Sequence, residues 1–261
     1  KEKRVVMGDM AKQTVLVTGS TSGIGRAVAL RLAEAGAAVA IHGRNAAAAK
    51  KVADEIRCSA GSVAGIFLAD ISTRNGCAEL VETVTKTCPA LHAACLIAGA
   101  DTLTGSSATL PFEDKLQLLY ETDVQSTLLL GRGLGQILKG HDGSSIVTTG
   151  WDQAATGMEG DSGELFATTK GAVMAFTKSL AKSLAPHVRV NCVAPGWIKT
   201  AWGDQASTEW QERAARECLL ERWGEVEDIA DAVQWLISPQ ARFITGQIIN
   251  VNGGFRTNQS V

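Results

Sequence analysis

The chain has 261 residues, with 25 Lys and Arg against 27 Asp and Glu and a formal net charge of −2. That balance lacks the basic field that nucleic acid or an anionic membrane surface demands, so neither is expected as a partner. No charge-free apolar run approaches the roughly 20 residues that span a bilayer, and a chain of this length buries roughly three quarters of its unfolded surface without disulfide or metal staples.

Residues 1–12 read as an N-terminal tail, charged and mixed, without the apolar core of a signal peptide. Met7 or Met10 is the expected natural start. Residues 13–261 read as one domain. Thr14-Val15-Leu16-Val17-Thr18 is a short β-rich run closed by Gly19. Residues 24–35 carry a helical pattern that ends at Gly36, a C-cap glycine. Residues 38–42 predict a strand, 45–57 a helix, 63–68 a strand and 74–88 a helix. A fourth strand follows over 91–97, then a long helix over 112–139 with a kink expected at Gly131, Gly133 and Gly135. The remaining pattern predicts a strand over 145–149, a helix over 164–184, a strand over 188–193, a helix over 225–237 and a last strand over 247–251.

Near-continuous apolar strands alternating with helices predict a parallel sheet covered on both faces. Right-handed crossovers then give a Rossmann-type α/β fold, a doubly wound seven-stranded parallel sheet in a single domain. The stretch 194–222 lacks strand signals, and within it about 196–222 is expected to form a substrate lid. Six scattered cysteines, at 58, 77, 88, 95, 192 and 218, make no CxxC pair and no Cys/His cluster. Reduced thiols of a cytoplasmic protein and no metal site are the expectation.

Thr18-Gly19-Ser20-Thr21-Ser22-Gly23-Ile24-Gly25 follows the first strand and opens the first helix. Its glycines allow a tight turn and close approach of a pyrophosphate, and the helix N-terminus offers free N–H groups and a positive dipole end. Cofactor choice is read at the end of the second strand, where an acid would accept the ribose 2′-OH of NAD. Here the run is His42-Gly43-Arg44-Asn45, with Gly43 where the acid would stand. Arg44 offers a permanently charged planar fork to a 2′-phosphate, so NADP is expected over NAD.

The TGxxxGxG spacing is similar to that of the short-chain dehydrogenase/reductase family, and the resemblance runs from roughly residue 12 to 256. Asp70-Ile71 resembles the family's adenine contact after the third strand. Ala98-Gly99 resembles the end of its NNAG motif, with Leu96-Ile97 in place of the two Asn. Asn191 with Pro195-Gly196, Arg222-Trp223-Gly224 and Asn252-Gly253-Gly254 continue the likeness. It implies nicotinamide contacts from Ile198 and Thr200. It also implies a homodimer or homotetramer packed through residues 112–139 and 164–184, where Ala167, Gly171 and Ala175 permit close helix approach.

The same resemblance implies a catalytic set of Asn, Ser, Tyr and Lys, and three of the four are replaced. Phe166 stands for the Tyr and has no O–H to donate. Trp151 stands for the Ser and offers one N–H donor and a large volume. Asp123 stands for the Asn, and Lys170 alone is kept. The only tyrosine, Tyr120, lies one helical turn before Asp123. One reading is an atypical NADPH-dependent reductase of a conjugated enoyl or carbonyl compound. The family's peroxisomal dienoyl-CoA reductases look similar in pairing Asp with the retained Lys, and Asp152 and Glu164 are further candidate proton donors. A second reading is a catalytically inactive nucleotide-binding protein or scaffold. A third is that Phe166 and Trp151 shape a pocket for an aromatic or apolar small molecule whose own chemistry supplies the proton. Trp197, Trp202, Trp210 and Trp223 are expected beside that pocket, since indole rings build apolar walls.

Overall fold

The computed structural model describes residues 10–200, 203 and 206–256, so Met7 and Trp202 lie outside the described residues. Its centre is a seven-stranded sheet in the order β3-β2-β1-β4-β5-β6-β7, every neighbouring pair parallel. The strands are β1 (Thr14–Thr18), β2 (Ala38–Gly43), β3 (Ser62–Leu68), β4 (Leu91–Leu96), β5 (Ser144–Thr149), β6 (Val188–Pro195) and β7 (Ile248–Val251). The doubly wound Rossmann-type fold expected from the apolar strands is the one observed.

Period-two alternation sorts the strand side chains between two cores. Val15, Val17, Val39 and Ile41 point to one face, under helices α1 (Gly23–Glu34), α2 (Ala46–Cys58) and α8 (Val226–Ile237). Leu16, Ala40, Ala94 and Ile146 point to the other, under α3 (Arg74–Thr87), α5 (Ser126–Leu138) and α6 (Asp161–Leu184). Two-sided burial is why these strands read as continuous apolar runs. Met10, inside the expected tail, is fully buried in the first core, and its N–H donates to the Ala35 carbonyl at 3.0 Å.

The order of the strands places the cleft. The chain lays down β1, β2 and β3 outward in one direction, then crosses back so that β4 pairs with the other edge of β1. The loops after β1 and β4 therefore diverge and leave a crevice at the carboxyl edge, where ligands of such sheets bind.

The long helix differs from expectation in where it is irregular. Helix α4 (Phe112–Leu119) passes through a π-helical turn over Tyr120–Gln125 into α5. The disturbance is not at the three glycines. A Cβ at Gly131 would lie 3.0 Å from Leu180, one at Gly133 2.9 Å from Val81, and one at Gly135 2.7 Å from Leu184. Those glycines let neighbouring helices approach, while the π turn re-aims the side chain of Asp123. Within the expected lid, residues 208–217 form helix α7 (Thr208–Glu217), capped by the Ser207 side chain.

Candidate active site

A cleft of about 820 Å³ runs along the carboxyl edge from Arg44 at one end to Trp210 at the other. Its floor is the glycine turn. Gly19 has φ +66°, and a Cβ there would sit 2.8 Å from the Ala98 Cα. A Cβ at Gly25 would sit 2.2 Å from the Gly19 carbonyl oxygen, so neither position admits a side chain. Thr18 fastens the two diverging loops together, its Oγ1 accepting from the N–H groups of Ile97 and Ala98 at 3.0 and 3.1 Å. Thr21, Ser22, Gly23 and Ile24 line the cleft. Ser22, the N-cap of α1, makes no side-chain cap bond, so the orphan N–H groups of the first turn remain to meet an anion.

Ser20 departs from its expected role as a cofactor ligand. It is fully buried, donates to the His42 carbonyl at 3.2 Å and accepts from the His42 N–H at 2.9 Å. It ties the turn to β2 and faces away from the cleft. His42 completes the clamp. Its Nδ1 accepts from the Gly19 N–H at 3.2 Å, and its Nε2 lies 3.2 Å from the Ala69 carbonyl. Those two partners fix a neutral ring with the proton on Nε2. Burial pushes the imidazole down to about 4, against a smaller upward pull from the Ala69 bond.

At the end of β2, the geometry explains the missing acid. A Cβ at Gly43 would lie 2.5 Å from Thr21 Cγ2. The threonine of the turn fills the space that an aspartate would need. Arg44 stands next, exposed and lining the cleft. Asp70 and Ile71 line the same end. Ser72 hydrogen-bonds Asp70 through side chain and backbone, at 2.8 and 3.1 Å, and holds that carboxyl below its ordinary value. Ala98, Gly99, Pro195, Gly196, Ile198 and Thr200 line the middle and far parts of the cleft as expected. The glycine turn and the uncapped helix start fit a dinucleotide laid across the switch point.

At the other end, the π turn and α6 bring Asp123 and Lys170 together. Lys170 Nζ lies 2.8 Å from Asp123 Oδ2, with the two side chains 10% and 1% exposed. The contact is a close ion pair between two buried groups. Asp123 Oδ1 accepts the Ala100 N–H at 2.7 Å, which ties the loop after β4 to the same carboxylate. A Cβ at Gly99 would come within 3.5 Å of both charged groups. Above the pair, Trp151 and Phe166 meet edge to face, with ring centres 6.3 Å apart at 61°. Both line the cleft and both are half-buried.

The expected lid supplies a second aromatic cluster. Trp197 stands 5.4 Å from Trp210 and 6.0 Å from Trp223. Its indole N–H donates to Glu217 at 2.9 Å, and the Arg213 guanidinium lies 4.9 Å from the Trp210 ring centre. Trp197 and Trp210 line the cleft, whereas Trp223 is buried behind them.

Two candidate donors named from sequence, and the only tyrosine, fall elsewhere. Asp152 is buried behind the cleft wall, with Oδ2 accepting from Asn252 at 2.9 Å. Burial raises its pKa. Glu164 is exposed on α6 and does not line the cleft, and neither does Tyr120, which is half exposed. Conversely, Leu103, Met158, Glu159 and Asp161 line the far end without having been anticipated. They belong to loops and to a helix start that precedes its predicted position by three residues. Gly157 and Gly160, both with positive φ, were the only sequence signal for that turn.

A family model described as enoyl-(acyl carrier protein) reductase matches residues 19–256. The 3-oxoacyl-(acyl-carrier-protein) reductase FabG of Aquifex aeolicus is 35% identical over 252 residues, covering 92% of this chain and 95% of the relative. Among solved structures, 7α-hydroxysteroid dehydrogenase complexed with NADH and 7-oxo glycochenodeoxycholic acid superposes with a TM-score of 0.85 at 27% identity, covering 94% of this chain and 95% of that one. A short-chain dehydrogenase from Burkholderia cenocepacia in complex with NADP gives a TM-score of 0.84 at 26% identity, covering 94% and 98%.

Proposed function

The chain belongs to the short-chain dehydrogenase/reductase family of oxidoreductases, and we propose that it is an NADPH-dependent reductase acting on an activated small-molecule acceptor without a tyrosine acid. The observation that carries the reading is the buried Asp123–Lys170 pair at the end of a cleft whose glycine turn is intact. Such a pair is costly to bury, and here it stands at the reacting end of a cleft whose nucleotide turn is whole, which is the arrangement a working site needs.

Residues of the glycine turn and the first turn of α1 would hold the pyrophosphate, Arg44 the 2′-phosphate, and Asp70 with Ile71 the adenine. Lys170 would reach the nicotinamide ribose, with Ile198 and Thr200 at the carboxamide. When bound, the reduced nicotinamide supplies a hydride. Lys170 and Asp123 set the charge at the reacting end, and Phe166 and Trp151 exclude water from it. Neither ring donates an O–H proton. The acceptor is therefore one whose reduction needs no adjacent hydroxyl acid, such as a conjugated enoyl compound or a carbonyl derivative that carries its own proton.

Residues 196–222 serve as the lid in this reading. A homo-oligomer packed through residues 112–139 and 164–184 would bury the exposed Leu116, Tyr120 and Leu129, with Ala167, Gly171 and Ala175 permitting close helix approach, which light scattering checks. Six unpaired thiols suit a reducing cytoplasm. No described helix is long and apolar enough to cross a membrane.

The test is calorimetric titration with NADPH and NADH, followed by NADPH oxidation against conjugated thioesters and carbonyl derivatives. Tighter NADPH binding, and turnover lost in Lys170→Ala, is the expected result. Cofactor affinity without turnover of any acceptor would instead describe a nucleotide-binding protein that has lost catalysis.

A further inference from the structure

The reacting end of the cleft is built for positive charge. Among the described residues, Asp101, Asp123, Glu159 and Asp161 line the part of the cleft away from Arg44, with Lys170 the single cation there. Lys170 is already matched by Asp123 at 2.8 Å. Arg213, behind Trp210, is matched by Glu159 at 3.0 Å and Glu217 at 2.8 Å. Among the described residues, neither Asp101 nor Asp161 forms an ion pair. Asp101 is occupied locally, accepting from the Leu103 and Thr104 N–H groups at 2.8 and 3.0 Å. The remaining field at the cleft mouth is negative, and a cleft lined by one sign concentrates ligands of the other.

The walls point the same way. Trp151, Phe166, Trp197 and Trp210 present ring surface to one cleft. Trp210 already holds a guanidinium 4.9 Å from its centre. Indole and phenyl faces attract organic cations through their quadrupole.

Reduction of a ketone builds an alkoxide, and reduction of a conjugated thioester builds an enolate. Either anion would form beside carboxylates and a spent lysine, with aromatic rings where an O–H donor would stand. An iminium ion reverses this arithmetic, because its reduction discharges a cation.

Resting on the reductase reading above, we propose that the acceptor is an iminium ion, protonated or N-alkylated, of a cyclic amine. Asp161 draws the cation in, together with Glu159 and Glu217, which outnumber Arg213 by one charge, and the four rings enclose it. Hydride forms the new C–H bond at the iminium carbon, and the C=N π pair moves onto nitrogen. The iminium is reduced to a neutral amine while the dihydronicotinamide is oxidised to its cation. No proton leaves the protein, so the loss of the tyrosine O–H costs the reaction nothing.

The experiment has three arms on the full chain. NADPH titration tests the reductase reading alone. Calorimetry then compares N-methyldihydroisoquinolinium with neutral dihydronaphthalene, in wild type and in Glu159→Gln/Asp161→Asn. Finally, NADPH oxidation is followed with the same iminium and with tetralone. The cation is expected to bind roughly tenfold more tightly than the neutral ring. The double variant should lose most of that preference, and the iminium but not tetralone should consume NADPH. With unsubstituted dihydroisoquinoline the rate should rise as pH falls through the imine's own pKa, whereas the N-methyl cation should show no such rise. NADPH binding accompanied by equal affinity for cation and neutral ring, or by tetralone reduction as fast as iminium reduction, overturns this proposal and leaves the reductase reading standing. Absence of NADPH binding removes both.

Discussion

The Asp123 carboxylate and the Lys170 ammonium stand 2.8 Å apart at the base of the cleft, both almost wholly buried. One comes from a π turn in the chain's longest helical run, the other from the middle of α6. Removing either partner strands a charge in a poorly solvated place, which costs about 3–5 kcal/mol. Replacing both with uncharged groups of similar size costs far less. Asp123→Asn and Lys170→Met are each expected to lower stability by several kcal/mol, whereas Asp123→Asn/Lys170→Met falls well short of the sum of the two losses. Urea denaturation of wild type, the single variants and the double variant measures this coupling. Additive losses would mean that the two charges do not sense one another.

His42 predicts a pH dependence of stability. The folded ring is held neutral, with its pKa lowered from 6.5 to about 4. Below pH 6.5 the unfolded chain takes up a proton that the folded chain refuses until about pH 4. Stability therefore falls as the pH drops through that window and levels off below it, by up to about 3 kcal/mol. Protonation of the folded ring, near pH 4, turns Nδ1 into a donor facing the Gly19 N–H, so cofactor affinity should hold through that window and decline only as the pH approaches 4. Urea midpoints between pH 7 and pH 4, compared in wild type and His42→Gln, isolate the contribution. An equal slope in both proteins would assign the acid sensitivity to other groups.

The sheet and its switch point were legible in the sequence because burial on both faces leaves a hydrophobic signature in every central strand. The glycine turn was legible for a similar reason, since close backbone approach at Gly19 and Gly25 tolerates no other residue. Ser20 and His42 were not. A serine in a glycine turn and a histidine at a strand end carry no pattern that distinguishes a ligand contact from an internal clamp. The kink was misplaced because glycine has two uses in a helix. At 131, 133 and 135 it makes room for Leu180, Val81 and Leu184, while the π turn over Tyr120–Gln125 has no glycine at all. The acids at 159 and 161 were missed because a loop's position relative to a cleft is a tertiary fact.

The proposed preference for NADPH rests on a steric relation as well as on charge. Thr21 Cγ2 occupies the place of a side chain at 43, 2.5 Å from where its Cβ would stand. Gly43→Asp alone should therefore weaken binding of both nicotinamide cofactors by displacing the turn. Gly43→Asp with Thr21→Gly relieves the clash and should shift preference toward NADH. Arg44→Gln should weaken NADPH by roughly tenfold or more, the scale of a charge-assisted contact, with NADH affinity nearly unchanged. Titration of each variant with both cofactors reads the outcome. Equal losses for NADPH and NADH in Arg44→Gln would remove the 2′-phosphate assignment.

Restoring the missing groups tests whether the site is otherwise ready for ketone reduction. Phe166→Tyr places a phenol on α6 one turn before Lys170, and Trp151→Ser removes the ring that faces it. Loss of a half-buried indole is expected to cost about 2 kcal/mol of stability. The phenol becomes effective as an acid only if Lys170 is free to act on it, and in wild type that lysine is matched by Asp123. Phe166→Tyr/Trp151→Ser should therefore gain weak ketone reduction, and adding Asp123→Asn should raise it further, toward the roughly 10²–10⁴-fold that a positioned general acid supplies. The gains are coupled, so the triple variant should exceed the product of the separate effects. NADPH-linked reduction of tetralone by wild type, Phe166→Tyr/Trp151→Ser, Asp123→Asn and the triple variant measures this. If the triple variant gains nothing while NADPH still binds, the Trp and Phe side chains were not what kept ketones unreactive, and the carboxylates at 159 and 161 become the next groups to remove.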